Sequence, residues 1–394
     1  MPPPQSDIAN ATTPALPRAP DLAIIGGGIV GLWCAVRAGA AGLRTVLLEK
    51  DRIGQGASGG FLGALMPHQP IRWTPEKAFQ LDALMSLETE IVMLQERTGI
   101  DCGYRRCGRL IPTRTEKKRA QRIDWQAAAR QNWPMASPGG TLLEWRLLDA
   151  TPDAGWLAPD AAPLGCEFDT LSARVSPRAL LAALAVAAGS TVDIRERSRV
   201  ARLHDGGALI VLDDGTELTP GRIILTAGYE TFDFLHALAG RRLGRGVKGQ
   251  AALMHPRRPV DPDAPILYFG GVYVIAHDNG LIAIGSTSES EFADATATDH
   301  RLDDLVARAM TICPALDGAA LQERWTGVRP NAIGRHPMIG PRPDCPRIVV
   351  CTGGYKISFG IAHRMADAAL GFVTDQKTAL PSRFEIAAHL ACAQ

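Results

Sequence analysis

The chain shows no excess of charge of either sign: 42 basic and 41 acidic residues leave a formal net charge of +1 over 394 residues. Global composition therefore gives nucleic acid no support as a partner, although a local patch could hide in that balance. Lysine is scarce, seven residues against 35 arginines, a skew that reads as base composition and not as function. No pair among the eight cysteines (34, 102, 107, 166, 313, 345, 351 and 392) has CxxC spacing. Neither a zinc site nor a redox dithiol is indicated, so no metal is expected, and the cysteines read as buried thiols in a reducing cytosol. No apolar run reaches the roughly 20 residues that cross a bilayer; the longest, residues 179–188, is alanine-rich and suits a packed helix. The first 20 residues hold six prolines but no basic n-region and no apolar segment, which predicts a disordered leader in place of a signal peptide. These absences together predict a cytoplasmic protein without a transmembrane segment.

What is present is a globular composition, 46% hydrophobic and 21% charged, in a chain long enough for two domains. Residues 21–25 read as a short apolar strand, 29–41 as a buried helix and 44–49 as a second strand, a β-α-β unit. Between strand and helix lies Gly26-x-Gly28-x-x-Gly31. In such a turn Gly26 permits the tight bend, Gly28 lets backbone approach a pyrophosphate, and Gly31 lets helix and strand pack closely. The helix opened by Ile29 offers free N–H groups and a positive dipole end to phosphate. Glu49 ends the second strand 21 residues after Gly28 and can accept hydrogen bonds from a ribose diol. The motif alone does not choose between FAD and NAD. The small-residue loop GQGASGGFLGA (residues 54–64) follows directly and can run alongside a large flat cofactor.

Further along, residues 76–97 show helical periodicity, with Leu81, Leu84, Met85, Ile91 and Leu94 on one face. Residues 108–163 give a mixed signal. A helix is expected over 177–188 and strands over 191–196 and 222–226. A hairpin is expected around Asp214-Gly215. Antiparallel strands are expected over 247–255, 266–276 and 281–286, and a helix over 302–312. The strand over 347–352 runs into Gly353-Gly354 and a last helix through about residue 372. That turn can aim a second helix dipole at the cofactor's ring, where it would stabilise negative charge.

The motifs DLAIIGGGIVG, LLEK, ASGGFLGA, RVSP, ILTAGYET, GVKGQ, GVYVIAHDNGLIAIGST, WTGVRP, GRHPMIG and TGGYKISFG occur in this order. In this the chain resembles the D-amino-acid oxidase (DAO) superfamily of flavoproteins over residues 21–384. The likeness is nearest to glycine oxidase, with sarcosine oxidase and D-amino-acid dehydrogenase more distant. The resemblance implies an α/β fold: a Rossmann-like FAD-binding domain of the glutathione-reductase-like type, plus a substrate domain with a mostly antiparallel sheet. The FAD domain is expected to be discontinuous, from 21–80, 160–230 and 335–394, and the substrate domain to take 81–159 and 231–334.

The resemblance also implies site residues. Gly26, Gly28, Ile29 and Gly31 would hold the FAD pyrophosphate, and Glu49 the adenosine ribose with Lys50 beside it. Ser58, Gly60 and Phe61 would pass near the pyrophosphate and ring, and Val200 would meet the adenine through its backbone. Ala227 and Gly228 would line the same groove, and Gly354, Tyr355, Lys356, Ile357, Ser358 and Gly360 would cradle the flavin. Arg329 matches the arginine that pairs with the substrate carboxylate, for which a guanidinium fork is suited. Tyr273 matches a tyrosine holding the same group, and Lys356 stands at the flavin edge. His68 and His277 fall where the family often has an arginine, and either could face the substrate. The loop 58–64 is two residues shorter than in glycine oxidase. No cysteine stands near Gly327, so FAD is expected to be non-covalent. Ala283 replaces the lysine that sarcosine oxidases use with oxygen, which leaves oxidase and dehydrogenase both open.

The implied reaction is oxidation of the C–N bond of a small amine or amino acid of the glycine, sarcosine or D-amino-acid type. Hydride passes to flavin N5, and the resulting imine is hydrolysed by water. Oxygen is the expected acceptor, a quinone or other carrier the alternative. No side-chain acid or base is required, so no catalytic residue is named. The alternatives are a dehydrogenase of a D-amino acid, opine or 2-hydroxy acid, a transfer-RNA-modifying flavoprotein domain, and an FAD-holding accessory subunit. A homo-oligomer is compatible with the sequence but not legible in it.

Overall fold

The computed structural model describes residues 16–392 apart from 237–239, 241 and 377. Its first sheet has six strands in the order Met338–Arg342, Cys345–Thr352, Arg222–Leu225, Leu22–Ile25, Thr45–Leu48, Asp193–Arg195. All neighbours are parallel except the first pair. LAII and TVLL are continuous apolar runs because both faces of the sheet are covered. Alternate residues serve the two faces. Leu22, Ile24 and Leu47 meet the helices Ile29–Ala40, Pro75–Thr98, Pro177–Gly189 and Ser358–Val373, which share one core. Ala23, Ile25, Val46 and Leu48 meet a small sheet of Val200–His204, Leu209–Leu212 and Glu217–Leu218.

The second sheet has eight strands: Ala320–Ala332, Gly244–His255, Ile282–Gly285, Val272–Ala276, Ile266–Phe269, Arg109–Pro112, Cys166–Asp169, Trp145–Leu148. Its pairs are antiparallel apart from Ile266–Phe269 with Arg109–Pro112. Helix His300–Met310 adds Leu302, Leu305 and Ala309 to a core that includes Val272, Val274, Ile282 and Ile284 of this sheet. The mixed α/β architecture with an antiparallel second sheet agrees with expectation.

Several local expectations change. The strand expected over 266–276 is a tight hairpin, because Gly270 and Gly271 both take positive φ. Residues 108–163 hold a 17-residue helix, Glu116–Asn132, started by the Thr115 hydroxyl accepting from the Lys118 N–H. It buries only Trp125 and Ala129, so it shows no apolar stripe to read. The boundary expected between residues 80 and 81 falls inside the continuous helix Pro75–Thr98. Leu84, Ile91 and Leu94 of that helix join the first core, whereas Leu81 and Met85 turn to a cluster of Trp125, Trp133 and Trp145. Cys166–Asp169, expected with the first domain, pairs within the second sheet. Of the expected leader, residues 1–15 lie outside the described residues. Arg18 and Pro20 accept hydrogen bonds from the Thr219 and Gly221 N–H groups at 2.7 and 3.0 Å, so ordered chain begins before Asp21. No helix among the described residues is long and apolar enough to cross a membrane.

Candidate active site

At the C-terminal edge of the six-stranded sheet the chain turns from Ile25 into the helix Ile29–Ala40. Gly26 sits at φ +109°, and a Cβ there would stand 2.6 Å from the Thr226 carbonyl oxygen. A Cβ on Gly31 would stand 1.9 Å from the Gly26 carbonyl oxygen. These two glycines let strand and helix close on one another. Gly28 differs: its Cβ would meet only the Ser58 hydroxyl, at 3.2 Å. It faces open space at an uncapped helix start, and the Ile29 N–H donates to Ser58 Oγ at 3.1 Å. Glu49 clamps the turn from the next strand. One carboxylate oxygen accepts from the Gly27 N–H at 2.7 Å, the other from the Asp51 N–H at 3.0 Å. Each oxygen keeps a further lone-pair site for a ribose hydroxyl. Lys50 pairs with Glu230 in the same wall.

These residues open onto a cavity of about 1180 Å³, more than the roughly 300–1,000 Å³ that suits a drug-sized ligand. Gly26, Gly28, Ile29, Glu49, Lys50 and Ser58 line one end, with Val200, Ala227 and Gly228. Gly31 stands behind the wall and acts through packing. Toward the other end the lining passes to Gly60 and Phe61, then to Gly354, Tyr355, Lys356, Ile357, Ser358 and Gly360. The turn after Cys345–Thr352 needs Gly353, at φ +79°. The helix Ser358–Val373 then starts at Ile357 with no side-chain cap; the Gly360 N–H bonds the Ile357 carbonyl at 3.0 Å, which leaves the Ser358 and Phe359 N–H groups to serve a ligand. Two helix starts, an open glycine and a ribose-ready carboxylate lining one cavity fit a dinucleotide such as FAD.

Arg329 projects from the long strand Ala320–Ala332, whose Cα register places it opposite Val247. Its fork is fixed by the protein: Nη1 donates to Ser286 Oγ at 2.9 Å, and Nη2 to the Thr287 carbonyl at 2.6 Å. It forms no ion pair among the described residues, and burial lowers its pKa. Tyr273 lines the same end. Burial, reinforced by Tyr268 at a ring separation of 4.8 Å, pushes its hydroxyl up to about 12, so it stays a neutral donor. Gly249 makes room for the guanidinium: a Cβ there would stand 2.3 Å from Arg329 Nη2. Gly249→Ala is therefore expected to displace the fork and raise KM for a carboxylated substrate about tenfold, a loss of roughly 1.4 kcal/mol, with FAD content unchanged; steady-state kinetics and the visible spectrum check both parts.

The two histidines separate. His68 lines the cavity, and its N–H donates to Gln80 Oε1 at 2.8 Å. His277 is absent from the lining; it is buried and hydrogen-bonds the Phe61 carbonyl at 2.8 Å. A carbonyl only accepts, so His277 Nε2 carries the proton and donates, while Nδ1 has no partner. His277 thus buttresses the loop that carries Phe61 in place of facing a substrate. Burial depresses its pKa to about 4. The unfolded chain takes up this proton below about pH 6.5, the folded chain only near 4, so stability is full above 6.5 and lost as pH falls between these values. The loss reaches about 3 kcal/mol. His277→Gln is expected to flatten that part of the curve of Tm against pH.

Residues that sequence reasoning gave no role also shape the site. Trp325 lines the cavity and covers Gly60, whose Cβ would stand 3.0 Å from the indole. Ser286 orients Arg329, and the Thr226 hydroxyl bonds the Ile25 and Gly26 carbonyls at 2.9 Å. Trp325 falls in WTGVRP and Thr226 in ILTAGYET, so the motifs pointed at these segments but not at the side chains.

Comparison with known proteins bears on this geometry. The chain is 27% identical over 369 residues to the bifunctional protein ThiO/ThiG of Synechocystis sp., covering 91% of this chain and 52% of that protein, so it spans about half the length of that relative. It is 26% identical over 345 residues to the glycine oxidase of Pseudomonas putida, covering 84% and 88% of the two chains. The crystal structure of glycine oxidase from Geobacillus kaustophilus superposes with a TM-score of 0.81 at 23% identity, covering 94% of this chain and 99% of that one. The family model for DAO, FAD dependent oxidoreductase, matches residues 21–368, and with nearly all of the ordered chain inside that match, the protein belongs to the DAO family of FAD-dependent oxidoreductases.

Proposed function

We propose that this flavoprotein oxidises the C–N bond of a small amine bearing a carboxylate, of the glycine, sarcosine or D-amino-acid type, with oxygen as acceptor. One observation carries the reading: Arg329, a guanidinium with its fork fixed and no acidic partner among the described residues, stands in the wall of the cavity that begins at the glycine-rich turn. In this reading the six-stranded sheet with its helices holds FAD non-covalently and the eight-stranded sheet supplies the substrate wall. FAD, when bound, supplies a two-electron acceptor. The chain's own part is positioning. Arg329 and the Tyr273 hydroxyl hold the carboxylate, which fixes the neighbouring carbon and nitrogen. Removing water from the amine, next to a cation, favours its neutral form, the form able to release electrons. The similarity to glycine oxidases over most of both chains supports the substrate type.

The test is product analysis in air and without it. Peroxide and the carbonyl product formed in equal amounts from a carboxylated amine are expected. Carbonyl product that appears only with an added quinone would replace oxygen as the acceptor. A flavin-loaded protein that converts no amine would overturn the reading.

A further inference from the structure

Resting on that reading of the site, we infer that its substrate carries a second anionic group, held by Lys356, so that the class taken is an amino dicarboxylate. Arg329 and Lys356 both flank the Tyr355 ring, the guanidinium carbon 5.7 Å and the ammonium nitrogen 5.5 Å from its centroid. The two cations can be no farther apart than those distances combined. Neither forms an ion pair among the described residues. They differ in how they are held. Arg329 is tied to Ser286 and Thr287, and one carboxylate answers its charge. Lys356 makes no side-chain hydrogen bond among the described residues and stands as a second charge without an acidic partner there.

A second observation lies on the far side of Lys356. A smaller cavity of about 380 Å³ adjoins the first, and Ser286 and Lys356 stand in the walls of both. Its wall adds Arg301, Arg308 and one acid, Asp304. Arg301 is answered by the buried Glu289 at 2.7 Å. Arg308 donates to the Gly270 carbonyl at 2.8 Å and has no acidic partner within ion-pair distance among the described residues. With Asp304 counted against Arg308, the positive charge of Lys356 remains. Two like charges at one cavity repel each other, and a ligand with two carboxylates relieves both. Charged nitrogens sit about 2.7–2.9 Å from carboxylate oxygens, so the bound on the distance between the two cations limits the ligand to a short dicarboxylate.

Binding tests this without turnover. Calorimetry on the FAD-loaded protein compares malonate, succinate and glutarate with acetate, in wild type and in Lys356→Gln. Expected is a dianion preference of tenfold or more, lost in Lys356→Gln and restored by Lys356→Arg. Equal affinity for mono- and dianion, or a preference that survives Lys356→Gln, overturns the inference. Anaerobic flavin reduction by glycine, iminodiacetate and D-glutamate separates the two claims. Reduction by glycine with no Lys356-dependent preference rejects the second subsite and leaves the amine reading standing. A Lys356-dependent dianion preference with no reduction by any amine supports the subsite and rejects the amine reading.

Discussion

Arg329→Met lowers kcat/KM for a carboxylated amine by about 100-fold or more, while FAD content stays at the wild-type level. The side chain is half-buried, its fork is set by Ser286 and Thr287, and no acid among the described residues forms an ion pair with it. A substrate carboxylate is the natural partner, and removing one member of a buried charge pair costs about 2–5 kcal/mol. At about 1.4 kcal/mol per tenfold the middle of that range lies above 100-fold. Methionine keeps the volume, so the strand Ala320–Ala332 and its pairing with Gly244–His255 persist. FAD remains bound because the glycine turn and Glu49 lie at the other end of the cavity. Arg329→Lys keeps the charge but not the fork, and recovers only part of the loss. Steady-state kinetics with the flavin absorbance of the same samples decide the matter. Unchanged kinetics would remove Arg329 from the site.

Gly31→Val abolishes retention of FAD, cutting cofactor content more than tenfold and lowering Tm by several degrees. A Cβ at this position meets the Gly26 carbonyl oxygen at 1.9 Å, and the atom it meets is backbone. The helix Ile29–Ala40 must withdraw from the strand Leu22–Ile25, carrying its first N–H groups away from where a phosphate would lie. Overpacking typically costs about 1–3 kcal/mol, and this site offers no side chain that can yield. Gly28→Ala is the informative companion. Its Cβ meets only Ser58 Oγ, at 3.2 Å, so the fold tolerates the methyl group. FAD affinity falls because the methyl occupies the room left for the pyrophosphate. Cofactor content by absorbance after gel filtration, paired with calorimetry of the apoprotein, distinguishes the two. A Gly31→Val protein that stays fully yellow would contradict the account of that glycine.

The nucleotide end was legible because its signal is local. Gly26, Gly28, Gly31 and Glu49 lie within 24 residues, and each is fixed by backbone geometry that a sequence pattern records. The substrate end is assembled from strands far apart in the chain. Tyr273, Ser286 and Arg329 meet only through the eight-stranded sheet, so resemblance pointed to Tyr273 and Arg329, whereas Ser286 lay within GVYVIAHDNGLIAIGST without a role. His277 shows the limit of reading by position. Residues four apart along a strand share a face, but His277, four beyond Tyr273, lies past the end of Val272–Ala276, where it turns to the Phe61 carbonyl. The helix Glu116–Asn132 escaped because polar residues surround it and its cap, Thr115, is a common surface residue. The hairpin at Gly270-Gly271 was hidden inside an apolar alternation that continues on both sides.

The central claim is that this cavity brings a carboxylated amine to FAD through Arg329. Anaerobic titration of the FAD-loaded protein, followed by visible absorbance, tests it most directly, with glycine set against methylamine and sarcosine against dimethylamine. The account predicts that a carboxylated member bleaches the flavin band while its counterpart lacking the carboxylate does so at least 100-fold less efficiently. Equal bleaching by both members of a pair, or no bleaching by any carboxylated amine, would contradict it.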